Sequence, residues 1–402
     1  MSFLDRVERG RLCAGCGGCA LLSDGALRME RTPPGFLRPV PQGPLSREAE
    51  ARIAAICPAL GQSVAAEGRP DDVLWGPSLA MHEAWAQDEE LRFTGSSGGA
   101  LSAVLVHLLE SGKVDAVVQT AADPADPVAN RTVISTSRAE VLAAAGSRYA
   151  PSAPLAALGP CLEDDRIYAF VGKPCDVAAL RALARLDPRV RARFAFMLSF
   201  FCAGVPSLSG AQEVLLALGV APDEVAAFRY RGRGWPGRAA ARLRNGEERS
   251  MSYHESWGGI LSRHVQVRCK ICADGTGMAA DLAFADAWQT DEKGYPLFEE
   301  RDGVSLAVAR TRAGEALLRE AAEAGALSLR PFDRGRLEAM QPGQAGRRKA
   351  LLARLAGRRL AGRPVPRYRG LHLLAAARRG GVASNLRNLL GSLRRALLAD
   401  ER

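Results

Sequence analysis

The chain has 402 residues, 47% of them hydrophobic and 24% charged, which is enough to bury a full core and build two or three domains. Its net charge of +10 is uneven, because residues 331–402 carry 17 Lys and Arg against 4 Asp and Glu and leave the rest slightly acidic. With aromatics at 6% and no basic stripe in the body, a nucleic-acid-binding protein is excluded.

The start, "MSFLDRVERGRLC", has no apolar leader, and the longest apolar stretch, Phe194 to Val205, falls short of the roughly 20 residues that cross a bilayer. A soluble, cytoplasmic protein is expected. Composition divides the chain into an N-terminal region over about residues 1–75, a core over 76–330, and a basic, helix-prone tail over 331–402. The first region holds the cysteine run "CAGCGGCA" and one helical stretch, "SREAEARIAAI". In the core, helical "GGALSAVLVHLLESG" precedes strand-like "VDAVVQT" and "RIYAFVG". Helical "DVAALRALARL", strand-like "RFAFMLSFFC" and helical "SGAQEVLLALG" follow, an α/β alternation. Asn245-Gly246 between short alternating runs predicts a two-residue hairpin, so the sheet should be mixed, with part of it antiparallel. The tail ends in "SNLRNLLGSLRRALLADER", where Ser384 is the expected N-cap. Leu386, Leu389, Leu390, Leu393 and Leu397 there form an apolar stripe beside Arg387, Arg394 and Arg395. The stripe either packs on its own domain or, with its arginines, docks on an acidic protein or an anionic membrane surface.

Nine cysteines, eight of them in tight or motif-like settings, point to reduced, metal-ligating thiols rather than a disulfide framework. Cys13, Cys16 and Cys19 follow the C-x2-C-x2-C spacing, and the next cysteine, Cys57, precedes Pro58. Three close thiolates capping one face of a cubane, with a remote Cys-Pro as fourth ligand, suit a 4Fe-4S cluster; zinc is the main alternative. A second set comprises Cys175 and Cys202, where strand-like runs end, with the pair Cys269 and Cys272. Taken alone, Cys175 and Cys202 could equally pack as small hydrophobes, but a C-x2-C pair is rarely packing. Cys161 has no partner nearby and reads as structural.

"FTGSSGGALSAVLVHLL" sets small residues before a long helix, where backbone N–H groups can meet a phosphate. "VGKPC" places Lys173 at a strand end. In this order, "CAGCGGCA", "TGSSGGALSAVL", "GSRYAPS", "VGKPCDVAAL", "FFCAGVPS", "YRGRGWPG", "SYHESWG", "RCKICADGTGMAADLAFADAW" and "SLAVARTRAGEALL" resemble the coenzyme F420 hydrogenase/dehydrogenase beta subunit family over about residues 10–330. The resemblance implies family N- and C-terminal domains split near residue 160, within an α/β fold whose mixed sheet is flanked by helices. A small ferredoxin-like iron–sulfur region would precede it and the basic helical tail follow. It implies a protein that binds FAD and one or two 4Fe-4S clusters. Ser96, Ser97, Gly98 and Gly99 would form a flavin phosphate loop. Gly172, Lys173 and Pro174 would make a second flavin contact. Arg148, which replaces the Lys of a "GSKY"-like motif, and Asp286, from an acidic motif next to Trp288, complete the expected flavin site.

A flavin handles electron pairs and a 4Fe-4S cluster single electrons, so a protein holding both converts between the two. The sequence therefore predicts an oxidoreductase that moves electrons between a ferredoxin-like carrier and a two-electron partner, coenzyme F420 or similar, through FAD. The alternative is a non-catalytic electron-transfer subunit docked on a larger hydrogenase or dehydrogenase.

Overall fold

The computed structural model describes residues 2–288 and 300–398. The N-terminal region starts with helix α1 (Phe3–Arg9), capped by Ser2, whose hydroxyl accepts from the Asp5 N–H at 3.1 Å. The cysteine run follows, then a hairpin of β1 (Leu27–Thr32) and β2 (Phe36–Pro41). Helix α2 (Arg47–Ile56) is capped by Ser46 and turns its buried Ala49, Ile53 and Ile56 inward. It ends at Cys57, and β3 (Gly61–Ser63) leads on.

The core begins at β4 (Ala80–Ala86) and helix α3 (Ala100–Glu110), and continues with β5 (Ala116–Ala122), β6 (Asn130–Ser135) and β7 (Tyr168–Gly172). Helix α4 (Pro174–Leu183) opens with Pro at its first position, which costs no hydrogen bond because that N–H has no intrahelical acceptor. Strand β8 (Phe194–Phe200) and helix α5 (Leu208–Ala217) follow. A separate three-stranded sheet is made by β9 (Val225–Arg229), β10 (Arg238–Leu243) and β11 (Glu248–Ser252). The short helix α6 (Val267–Lys270) leads to β12 (Leu282–Asp286), β13 (Ser305–Ala309), helix α7 (Arg312–Glu323) and β14 (Leu327–Pro331).

The main sheet has 8 strands in the order β14-β4-β13-β12-β8-β7-β5-β6. Its middle, β12-β8-β7-β5, is parallel, while β13, β4 and β14 on one side and β6 on the other run antiparallel to their neighbours. The fold is thus a mixed α/β sheet with helices. Strand β7 is buried at every position, as expected of a parallel strand covered on both faces. Apolar clusters sit on either face, one around Phe170 and Val177, the other around Val104 and Leu198.

The Asn245-Gly246 hairpin differs in two ways from its expectation. It lies in the separate three-stranded sheet, and Leu243 N–H bonds to Glu247 O at 2.8 Å, so the turn is Arg244-Asn245-Gly246 with Gly246 at φ 90°. A three-residue turn needs a left-handed residue at its end, and Gly supplies it.

The tail is woven into the body. Helix α8 (Pro342–Leu360) packs against the terminal helix α9 (Val382–Leu397), and the tail strand β15 (Arg367–Arg369) pairs parallel with β3. Helix α9 starts earlier than expected: Gly381, at φ 73°, is its N-cap, and Ser384 lies inside it, its carbonyl accepting from Asn388. The leucine stripe is split. Leu389 and Leu393 meet α8, where Gly357 permits close approach, but Leu386, Leu390 and Leu397 are exposed. The contact is instead completed by polar groups: Ser392 Oγ donates to Arg354 O at 2.9 Å, and Arg354 Nε donates to Asn388 Oδ1 at 3.0 Å. Among the described residues no helix is long and apolar enough to cross a membrane.

Arg348 ties α8 to the body. Its buried guanidinium donates to the carbonyls of Val73 (2.9 Å), Leu74 (3.2 Å), Ala273 (2.8 Å) and Leu371 (2.6 Å). Replacing it leaves several buried acceptors unpaired, so Arg348→Leu should cost about 3 kcal/mol. Denaturant unfolding checks this against Arg359→Leu, an exposed site on the same helix that should change stability by less than about 0.5 kcal/mol.

Candidate cofactor-binding site

The first thiol set is built by backbone turns. Gly15 and Gly17 have φ of 77° and 86°, and a Cβ on Gly17 would meet Ala156 N at 2.7 Å, so only glycine lets the run fold this tightly. Cys57 arrives from the end of α2, and all four thiols line one small cavity walled by Val7, Ile53, Ile56 and neighbouring apolar groups. Burial, reinforced by the like charges of Cys13 and Cys57, pushes the Cys19 thiol up to about 12. Burial and Cys13 push Cys57 up to about 11. Four thiolates cannot coexist in such a pocket without positive charge among them, which the irons of a cluster would supply.

The second set gathers from three places: Cys175 on the first turn of α4, Cys202 beyond β8, and Cys269 with Cys272 at α6. Burial raises the thiols of Cys175 and Cys202, the latter to about 12, and the like charges of Cys269 and Cys272 add to the rise at Cys202. The Val205 N–H donates to Cys269 Sγ at 3.4 Å, and Gln266 Nε2 does so at 3.5 Å. Such donors stabilise a thiolate. Among the described residues no three His, Cys, Asp or Glu side chains converge closely enough for a single metal ion. A cubane asks for a wider arrangement, because each thiolate binds its own iron.

Beside this set lies a cavity of about 300 Å³ at the ends of β5, β7, β8 and β12. Ligand sites in α/β folds form where parallel strands end. Ser96, Ser97 and Gly99 form one wall, Arg148 another, Gly172 and Lys173 a third, and Asp286 with Trp288 a fourth. Gly98 and Pro174 are not on the wall. The Gly98 N–H donates to Ser305 Oγ at 3.0 Å, and a Cβ there would meet Ala84 O and Ser305 N at 2.8 Å, so its smallness serves contact with the sheet. Pro174 opens α4.

Several groups in this cavity are poised for an anionic or polar ligand. Among the described residues Ser96 Oγ is buried without a hydrogen-bond partner. Helix α3 is N-capped by Gly99 (φ 68°) with no side-chain cap, and Ala100, Leu101 and Ser102 of its first turn line the cavity. The Lys173 ammonium lies 2.7 Å from both Ser152 Oγ and Asp176 Oδ2. Burial works most strongly against its charge, but Asp176 together with Cys175 and Cys202 more than offsets burial and favours the protonated form. Arg148 has less to offer a ligand, since it donates to Asn130 Oδ1 and to the carbonyls of Phe228, Pro127 and Ala129 at 2.7–2.9 Å. Most of its N–H groups are thus spent on the protein itself.

Arg231 lines the cavity and was not assigned from the sequence. Only 3% exposed, it holds Asp286 through two bonds of 2.8 and 2.6 Å, and Trp235 Nε1 donates to the same carboxylate at 2.8 Å. Its guanidinium stands 4.7 Å from the Tyr253 ring and 5.1 Å from that of Trp288. The signal was the glycine-rich "YRGRGWPG", whose Gly232, Gly234 and Gly237 all have positive φ and bring the arginine back to the sheet. Asp286→Ala would strand this buried cation and should cost about 3–5 kcal/mol in denaturant unfolding. Asp286→Asn, which keeps the acceptor for Trp235, should cost less.

Comparisons with known proteins show the family and the fold. Models of the N-terminal and C-terminal parts of the family described as "Coenzyme F420 hydrogenase/dehydrogenase, beta subunit" match residues 81–159 and 165–335, respectively. A coenzyme F420 hydrogenase subunit beta from Methanococcus voltae is 28% identical over 246 residues, 60% of this chain and 80% of that protein. An F420-dependent formate dehydrogenase 1 subunit beta from Methanococcus maripaludis is 25% identical over 61% of this chain and 59% of its own length. The fold is shared with a chain in the F420-reducing NiFe hydrogenase complex from Methanosarcina barkeri, at a TM-score of 0.54 and 20% identity, covering 71% of this chain and 95% of that one.

Proposed function

The chain belongs to the coenzyme F420 hydrogenase/dehydrogenase beta subunit family, and from that premise we propose that it is the flavin- and iron–sulfur-bearing electron-transfer subunit of an oxidoreductase. It exchanges electrons between a one-electron carrier of ferredoxin type, or a partner subunit, and a two-electron carrier such as F420. The observation that carries the proposal is the position of Cys202. It belongs to the second thiol set and at the same time lines the large cavity, so a cofactor in that cavity adjoins a cluster on those thiols.

FAD fits the cavity on the chemistry of its walls. Ser96 Oγ and the first turn of α3 offer donors to a phosphate, Lys173 supplies a buried positive charge, and Tyr253 and Trp288 line the cavity with aromatic rings. The thiol sets suit 4Fe-4S clusters: Cys13, Cys16, Cys19 and Cys57 for one, Cys175, Cys202, Cys269 and Cys272 for the other. Bound there, the flavin would supply two-electron chemistry and the clusters one-electron chemistry. The residues around them position and insulate. Asp286 and Arg231 fix the aromatic wall, Asp176 keeps Lys173 charged, and the apolar lining of the first thiol pocket excludes water.

Protein purified anaerobically should contain FAD, iron and acid-labile sulfide. Cys202→Ala should lose about four irons per chain by cluster stoichiometry while keeping those of the first set. Ser96→Ala should weaken FAD binding about tenfold, the loss of roughly one hydrogen bond. A colourless protein containing zinc, or an unchanged iron content in Cys202→Ala, would contradict the assignment.

A further inference from the structure

Arg268 is 2% exposed, and among the described residues no carboxylate pairs with it. A lone buried cation is expensive unless something negative offsets it. Two other buried arginines are explained by carbonyls: Arg348 meets four, and Arg310 meets those of Trp75, Pro77 and Thr276. Among the described residues Arg268 donates to one carbonyl and one phenol, whose ring lies 5.8 Å from its guanidinium, and its Nε, like that of Arg310, has no hydrogen-bond partner. Carbonyl stapling does not account for it.

Its contacts join the two thiol sets. The backbone of Arg268 immediately precedes Cys269. Its Nη2 crosses to the carbonyl of Pro58, next to Cys57, at 2.8 Å. Its Nη1 donates to Tyr368 Oη at 2.9 Å, and that hydroxyl donates to the carbonyl of Ile271, next to Cys272, at 2.8 Å. The thiols within electrostatic reach of it are Cys272, Cys175 and Cys269 of one set and Cys57 of the other.

We infer that Arg268 is a counter-cation shared by the two cluster sites, placed between them to raise the reduction potential of both. The inference rests on the cluster assignments proposed above. When a site of four thiolates and a cubane takes up one electron from a one-electron carrier, it becomes one charge more negative. A fixed cation in a medium of low dielectric favours the more negative state, and one placed between two sites favours it at both. An electron passing from one set to the other would then remain beside the same positive charge throughout.

The test is an EPR-monitored redox titration of anaerobically prepared, cluster-loaded protein. In Arg268→Gln both midpoint potentials should shift to more negative values. In Arg268→Lys, which keeps the charge but loses the fork joining Pro58 and Tyr368, both should stay near wild type. Clusters present with unmoved potentials in Arg268→Gln would overturn the inference. If the Gln variant does not assemble, the Lys variant decides: wild-type potentials support the role of charge, and lowered potentials would assign the effect to the lost fork and overturn it. Wild-type protein without iron would instead contradict the cluster assignments themselves.

Discussion

Eight thiols drawn out of water in two groups of four impose the constraint on which the rest of the structure turns. Burial and mutual repulsion raise the thiols of Cys16, Cys19, Cys57, Cys175, Cys202 and Cys272, so four thiolates could form in either group only with positive charge beside them. Much of the surrounding architecture answers that demand. Lys173 lies beside Cys175, and Arg268 spans the two sets. The Val205 N–H and the Gln266 amide turn towards Cys269. The basic tail takes part as well, because Arg347 of α8 donates to the carbonyls of Cys202 and Ala203 at 3.2 and 2.8 Å and its charge offsets that of Cys202.

Parallel strands do the positioning. Strands β7, β8 and β12 run side by side, so the segments leaving them, Lys173-Pro174-Cys175, Cys202-Ala203 and Ala287-Trp288, emerge at one end of the sheet. One end thereby carries a buried cation, two thiols and an aromatic wall, although the three segments are far apart in sequence. The large cavity opens there and shares Cys202 with the second thiol set. The arrangement joins that cavity to a thiol site without a change of fold.

Local pattern was the part of this that a single sequence carries well. Helices α3, α4 and α5 and strands β5, β7 and β8 lie where apolar periodicity placed them, since period and length are properties of a short window. The Asn245-Gly246 turn was visible but its sheet was not, because membership of a sheet is set by distant pairing. The glycine loop shows the same limit more sharply. "GSSGG" marks a tight turn before a helix, yet nothing local reveals that Gly98 faces the sheet while Ser96 and Gly99 face the cavity. Arg148 and Arg231 exchange their expected importance for a related reason. Both are arginines in Gly-containing stretches, and only the folded chain shows the first bound to carbonyls and the second joined to Asp286 beneath two aromatic rings. The leucine stripe of α9 was legible, but its packing was not, because Ser392 and Asn388 of α9 hydrogen-bond to α8 and Gly357 of α8 lets the two helices approach closely.

The central claim is that a flavin and an iron–sulfur cluster meet across the wall containing Cys202. An anaerobic crystal structure of the protein loaded with FAD and iron–sulfur tests it most directly. The account predicts flavin density in the cavity with phosphate at the start of α3, and a cluster on Cys175, Cys202, Cys269 and Cys272 adjoining it. Flavin bound elsewhere, or those four thiols carrying no cluster in protein whose iron content is full, would contradict it.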